Sequence, residues 1–244
     1  MDFSRRSDEP EWMDTQIVGD ADFAACLADL AVVNTLTLAK QPTLAWLNAA
    51  AGHFPRDSEI SVLDVGFGHG DMLRAIRRWG DRRGLKMALH GIDLNPLSKS
   101  AAERATGPEM QIDFQTGDVF ALRSGRQYDV IICSLVTHHL TDAQVVNFIN
   151  WMERQARRGW FINDLHRHWL PYHAFRAMAA LARWHRFVRH DGPVSIARSF
   201  RREDWRRLLA EAGIKADIRW HMPFRLCVGR LKSGVAAGLA VAGP

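Results

Sequence analysis

The chain has 244 residues, 47% hydrophobic and 24% charged, which is the composition of an ordinary soluble globular protein long enough for one large α/β domain. Its net charge of +5 sets 32 basic residues against 27 acidic ones, a balance too even to mark a nucleic-acid binder. Cys26, Cys133 and Cys227 lie far apart with no C-x-x-C pair, so neither a zinc site nor a disulfide framework is suggested.

Residues 1–20 are polar and acidic, with Pro10 among them, and read as an irregular arm. No apolar run follows the charges there, so no signal peptide is visible, and no segment approaches the ~20 apolar residues of a membrane span. A cytoplasmic chain with reduced thiols is the expectation. Two helices follow, over 23–33 with Asp22 as cap and over 43–51 with Pro42 at its start. Residues 60–65 alternate aliphatic and β-branched side chains as a short buried strand does. Gly66, Gly68 and Gly70 then occupy every second position, letting the backbone turn sharply and approach a ligand closely. A helix is predicted over 72–79. Strand, glycine turn and helix form the first unit of a nucleotide-type fold, with the ligand at the strand's carboxyl edge. A dinucleotide fingerprint spaces its glycines G-x-G-x-x-G and leaves the helix start free for pyrophosphate. Here the spacing is G-x-G-x-G, Asp71 stands where a phosphate would dock, and Asp64 adds a second negative charge. A cationic ligand suits this turn better than a diphosphate.

Strands are predicted over 86–92 and 111–116, with a helix over 96–106 between them. Val62-Leu63-Asp64-Val65-Gly66-Phe67-Gly68-His69-Gly70 resembles the first motif of the class I S-adenosylmethionine-dependent methyltransferases. Asp93 follows roughly twenty residues past the glycines, where ribose recognition needs an acid, and Asp118 closes the third strand. The resemblance covers about residues 55–230. It implies a Rossmann-like, seven-stranded, mostly parallel α/β sheet with an antiparallel C-terminal strand pair and N-terminal lid helices. It also implies S-adenosylmethionine as cofactor, with S-adenosylhomocysteine as product. The cofactor would be held by Asp64, Gly66, Phe67, Gly68, Gly70, Asp93, Leu94, Asp118, Val119, Ser134 and Leu135. The expected units are an arm with lid helices (1–54), the cofactor-binding domain (55–232) and a flexible tail (233–244).

Residues 128–134 form a near-continuous apolar run, as a central parallel strand does. A helix over 142–156, a strand over 159–163, a long helix over 170–188, a loop over 190–198 and a helix over 200–212 come next. Strands over 214–220 and 224–231 close the chain. The long helix carries Arg176, Arg183, Arg186 and Arg189 on a face that is suited to an anionic membrane if the acceptor is lipidic.

Methyl transfer needs an acceptor held in line with the methyl–sulfur bond, and often a base to remove a proton. His138 and His139 follow the fourth strand, and imidazole suits a base near neutral pH. After the fifth strand, Asn163-Asp164-Leu165 resembles the turn of bacterial tailoring methyltransferases acting on phenolic, quinone or polyketide acceptors. Asp164 is placed as an orienting acid, with Asn163, His166 and His168 lining the acceptor. No H-E-x-x-H occurs, so no metal is expected. The expected activity is methylation of a small, fairly apolar molecule, most simply at oxygen, with no nucleic-acid partner. Methylation at carbon or nitrogen, an RNA or protein methyltransferase, and a catalytically silent binding module are the alternatives. Acceptor and oligomeric state are not legible.

Overall fold

A computed structural model describes residues 2–15, 19–52, 54, 59–122 and 127–232; the predicted tail 233–244 lies outside them. The strands are β1 Ile60–Val65, β2 Met87–Asp93, β3 Ile112–Thr116, β4 Tyr128–Ser134, β5 Ala156–Leu165, β6 Asp217–His221 and β7 Arg225–Leu231. They make one sheet in the order β3-β2-β1-β4-β5-β7-β6. β1 to β5 pair in parallel, and β7 runs antiparallel between β5 and β6. The strand order reverses between β1 and β4, which opens a crevice at their carboxyl ends. The expected Rossmann-like methyltransferase sheet is the one observed.

The helices are α1 Trp12–Thr15, α2 Asp20–Leu36, α3 Gln41–Ala51, α4 Asp71–Asp81, α5 Pro96–Arg104, α6 Asp142–Gln155, α7 Trp169–Leu181, α8 Arg186–Arg198 and α9 Arg202–Glu211. Leu47 of α3 and Leu73, Ile76 and Trp79 of α4 bury against one face of the sheet. Phe148, Ile149 and Met152 of α6, with Trp205 and Leu208 of α9, bury against the other. A third cluster stands apart from the sheet, joining Cys26 and Val33 of α2 to Ala179, Trp184, Phe187 and Val188 around α7 and α8. These helices cover the crevice and pack on one another.

Three sequence expectations are corrected. The single helix over 170–188 is two helices: the chain turns at Arg183, which has φ 52°, and His185 caps α8 by accepting from the Phe187 N–H. Its four arginines therefore divide between α7, the turn and α8. The loop over 190–198 is the second half of α8 despite Gly192 and Pro193. Glycine and proline cost a helix interior about 1 and 3 kcal/mol, but burying Phe187, Val188, Val194 and Ile196 returns about 1.5–3 kcal/mol each. Gly192 is also where α7 crosses closely, because a Cβ there would lie 2.0 Å from Phe175 Cε1. Finally, β5 is longer than expected, and Asn163-Asp164-Leu165 is strand, paired along its length to β7 and, at Asn163, also to Ser134 of β4.

Candidate active site

The turn from β1 into α4 holds Gly66, Gly68 and Gly70 at φ 72°, 52° and 74°. At Gly66 a Cβ would sit 2.2 Å from Val136 Cγ2, so only glycine lets the β4 loop pass this close. The Gly68 N–H donates to Asp93 Oδ2 at 2.9 Å, and the Asn95 N–H donates to Asp93 Oδ1 at 2.9 Å. The turn and the end of β2 are thereby one rigid piece. Burial raises the Asp93 carboxyl, and these two backbone bonds pull it back only in part.

A cavity of about 170 Å³ beside this turn is lined by Asp64, Ser134 and Arg225, among others. Asp64 is buried, its Oδ1 has no hydrogen-bond partner among the described residues, and burial with the Asp71 and Asp93 charges pushes its carboxyl well above the usual range. Ser134 Oγ and Arg225 Nε and Nη1 are likewise buried without partners. Burial lowers the Arg225 guanidinium, with Asp164 acting against it. Each orphaned polar group costs about 1–3 kcal/mol unless something satisfies it. A carboxylate lacking a donor and a guanidinium lacking an acceptor, on one small cavity, match a ligand end bearing both an ammonium and a carboxylate.

A larger cavity of about 730 Å³ adjoins it, with Asp93, Leu94, Asp118 and Val119 on one flank. Its opposite wall is apolar and comes from Leu27, Leu30 and Val33 of α2 with Phe175, Met178 and Val188 of α7 and α8. Where the two walls meet stands a corner of ionisable side chains. The His138 Nδ1 lies 2.7 Å from Asp164 Oδ1, and its Nε2 lies 3.5 Å from Glu11 Oε1. Burial alone would lower this imidazole, but Asp164 and Glu11 outweigh it and raise it to about 10. Asp164, which also accepts from the Thr137 hydroxyl, would be raised by burial, yet the His138 cation brings it down to about 2. His139 is partly exposed to the cavity, with Nδ1 2.8 Å from Asp14 Oδ2 and Nε2 3.8 Å from Glu11 Oε2. Donor atoms of Glu11, His138 and His139 lie within 4.8 Å of one another, a spacing compatible with a metal ion. Without a metal the corner is balanced as ion pairs, and an ion bound there would have to displace the His138 proton.

The arm that carries Glu11 and Asp14 is bound in place. Asp191 of α8 accepts from the Trp12 and Met13 N–H groups, Ser195 donates to Glu11, and Arg6 reaches the Leu140 carbonyl.

Most of the expected site residues converge here, and some do not. Asp64, Gly66, Phe67, Gly68, Ser134 and Leu135 line the small cavity, and Asp93, Leu94, Asp118, Val119, His138, His139 and His166 the large one. Phe67 contributes through its backbone, since its ring packs on Phe114. Gly70 lines neither cavity; it starts α4, and a Cβ there would meet Phe114 at 2.8 Å. Asp164 stands behind His138, away from both cavities. Asn163 does not line the acceptor cavity, because its amide is bound to the Ala39 carbonyl and Thr43 hydroxyl under α3. His168 caps α7 instead, accepting from the Leu170 N–H. Glu11, Asp14 and Arg225 escaped the sequence reading. The first two sit in a polar arm that carries no motif, and Arg225 is one arginine among many.

Residues 62–159 match the family model described as "Methyltransferase domain". The sequence matches none of the curated proteins compared with it. The fold is similar to that of magnesium protoporphyrin IX methyltransferase from Synechocystis PCC 6803, at 18% identity, TM-score 0.53, and 81% and 83% of the two chains covered. It is similar to the plantazolicin methyltransferase BpumL at 14% identity, TM-score 0.63, and 88% and 96% covered. For the CurJ carbon methyltransferase the identity is 15%, the TM-score 0.62, and the coverage 89% of this chain and 62% of that one. The chain thus carries a match to a methyltransferase domain over residues 62–159, set in a Rossmann-like methyltransferase fold with its glycine turn, Asp93 ending β2 and an antiparallel β7.

Proposed function

We propose that this enzyme methylates a small, largely apolar acceptor at oxygen, with His139 as the proton acceptor, and that residues 1–54 serve as arm and lid over the cofactor domain. The observation that carries this reading is the His139–Asp14 pair on a cavity with an apolar wall from α2, α7 and α8 and with Asp93 and Asp118 on another flank. Bound S-adenosylmethionine supplies an electrophilic methyl group on a cationic sulfur. In this reading Asp64 and Arg225 take the ammonium and carboxylate of its amino-acid end, Asp93 the ribose hydroxyls and Asp118 the adenine edge. The orphaned atoms of Asp64, Ser134 and Arg225 fit that ligand and leave nothing for a diphosphate beside Asp64 and Asp71.

Donating its Nδ1 proton to Asp14 leaves His139 with a lone pair on Nε2, the atom that faces the corner. When Nε2 takes the acceptor's hydroxyl proton, Asp14 and Glu11 stabilise the imidazolium. His138, already charged between Asp164 and Glu11, is unsuited to act as base near neutral pH and instead fixes Glu11. The apolar wall excludes water and aligns the acceptor oxygen, so positioning supplies much of the rate.

The test is incubation with radiolabelled donor and a panel of phenols, quinones and polyketides. Expected is label on oxygen, with His139→Ala slowing turnover by about 10²–10⁴-fold at unchanged donor affinity. Label on carbon, the outcome that a carbon methyltransferase such as CurJ would give, or normal turnover of His139→Ala, would overturn the assignment.

A further inference from the structure

Three segments bound the mouth of the large cavity, which Leu36, Thr37, Pro171, Pro223 and Phe224 help to line. They are residues 35–41, 165–176 and 218–225. Each puts large apolar side chains into water: Leu36 and Leu38 from the first, Trp169 and Leu170 from the second, Trp220 and Met222 from the third. Leu36 is 62% exposed, Trp169 55% and Met222 73%. The second and third segments are continuous through rings, with Trp169 5.7 Å from His168, His168 stacked on Phe224 at 5.8 Å, and Phe224 6.0 Å from Trp220. Folding gains nothing from leaving such side chains in water, and a clustered apolar rim around an opening marks a surface that meets something apolar.

Charge selects the partner. The three segments contain no Asp or Glu, whereas Arg176 and Arg219 stand exposed on them. Arg219 pairs with the exposed Asp217 just outside the third segment, at 3.3 Å, and Arg176 is left as the cation beside two tryptophans and aliphatic tips. That set suits the interface of an anionic bilayer, where amphipathic rings sit at headgroup level and a cation meets phosphate. A partner protein using an acidic surface would meet the arginines but not the protruding Leu36, Leu38 and Met222.

We propose that this rim docks on an anionic lipid surface, so that an acceptor dissolved in the bilayer enters the apolar cavity without crossing water. The inference rests on reading the large cavity as the acceptor's, and it places the contact at the cavity mouth, not on the arginines of α8. An acceptor delivered this way is amphipathic, with its reacting hydroxyl on a body apolar enough to partition into lipid.

The test is cosedimentation of the full chain with vesicles of phosphatidylcholine alone and with added phosphatidylglycerol, without donor or acceptor. Expected is binding at least tenfold tighter with phosphatidylglycerol, and quenching of tryptophan emission by brominated lipid. The double variant Trp169→Glu, Met222→Glu should lose at least tenfold in vesicle binding while calorimetry shows unchanged S-adenosylmethionine affinity, which also shows that it folds. No sedimentation with either vesicle, or sedimentation indifferent to the double variant, would overturn the proposal. So would a concentration-dependent dimer abolished by that variant, which would assign the rim to a second copy. Loss of donor binding in the unmodified chain would instead strike at the methyltransferase reading, so the two failures are separable.

Discussion

Arg225 is an arginine buried at the start of β7 with two guanidinium nitrogens unpartnered, and its worth differs with and without ligand. Removing an unpaired buried charge relieves desolvation. Arg225→Met is therefore expected to leave the ligand-free chain as resistant to urea as the parent, or more so. Its affinity for S-adenosylmethionine should fall by about 2 kcal/mol, the worth of a charged hydrogen bond. Binding of 5′-methylthioadenosine, which lacks the amino-acid end, should be unchanged. A variant that loses stability, or weakens both ligands equally, would assign the guanidinium a packing role. Asp93→Ala should likewise weaken donor binding by about 2 kcal/mol, and it should weaken both ligands, since the ribose is common to them; calorimetry giving parental affinities would remove Asp93 from the ribose. Asp64 and Asp93 were legible as cavity residues because each stands at the carboxyl end of a strand at a fixed distance from the glycines. Arg225 was not, since no local pattern distinguishes a buried arginine from the many exposed ones.

Among the elements, the pair α7 and α8 shows where local reading ended. Apolar positions every three to four residues continue through Trp184 and Phe187, so periodicity alone extends one helix across the turn. What breaks it is the packing of Trp184, Phe187 and Val188 onto α2, and what keeps α8 helical through Gly192-Pro193 is burial that outweighs propensity. Gly192→Ala replaces a poor helix former by the best one and would be expected to stabilise an exposed helix by about 1 kcal/mol. Here the added Cβ meets the Phe175 ring, so the expected outcome is a loss of about 1–3 kcal/mol by overpacking, read as a lower urea midpoint. A higher midpoint would show that the crossing of α7 and α8 is loose. By contrast β1, β2, β4 and α6 were readable from sequence, because buried parallel strands are near-continuous apolar runs and α6 carries its own Thr141–Gln144 capping box.

For the whole molecule, the buried pair of His138 and Asp164 links the acceptor loop on β4, strand β5 and, through Glu11, the arm, with His139 and Asp14 beside it. His138 is raised from 6.5 to about 10 when folded, so its contribution is complete below pH 6.5 and is lost as pH climbs to about 10. Asp164 is lowered from 3.8 to about 2, so its contribution is complete above pH 3.8 and is lost as pH falls to about 2. Stability from this pair is therefore greatest between pH 3.8 and 6.5. Above that window it should decline by up to about 1.4 kcal/mol per pH unit, measured as the urea stability of the parent minus that of His138→Asn. A flat difference from pH 6.5 to 10 would mean that His138 is neutral when folded. The sequence by itself determined the sheet, the glycine turn, the acid that ends β2 and the one just past β3, because these follow from short-range periodicity and from spacing along one chain. Only the tertiary structure decided that Glu11 and Asp14 face the two histidines, that Asn163 and His168 turn away from the cavity, and that Arg225 lines the same small cavity as Asp64. Those placements depend on burial and on charge pairing between segments remote in sequence, and no local pattern records either.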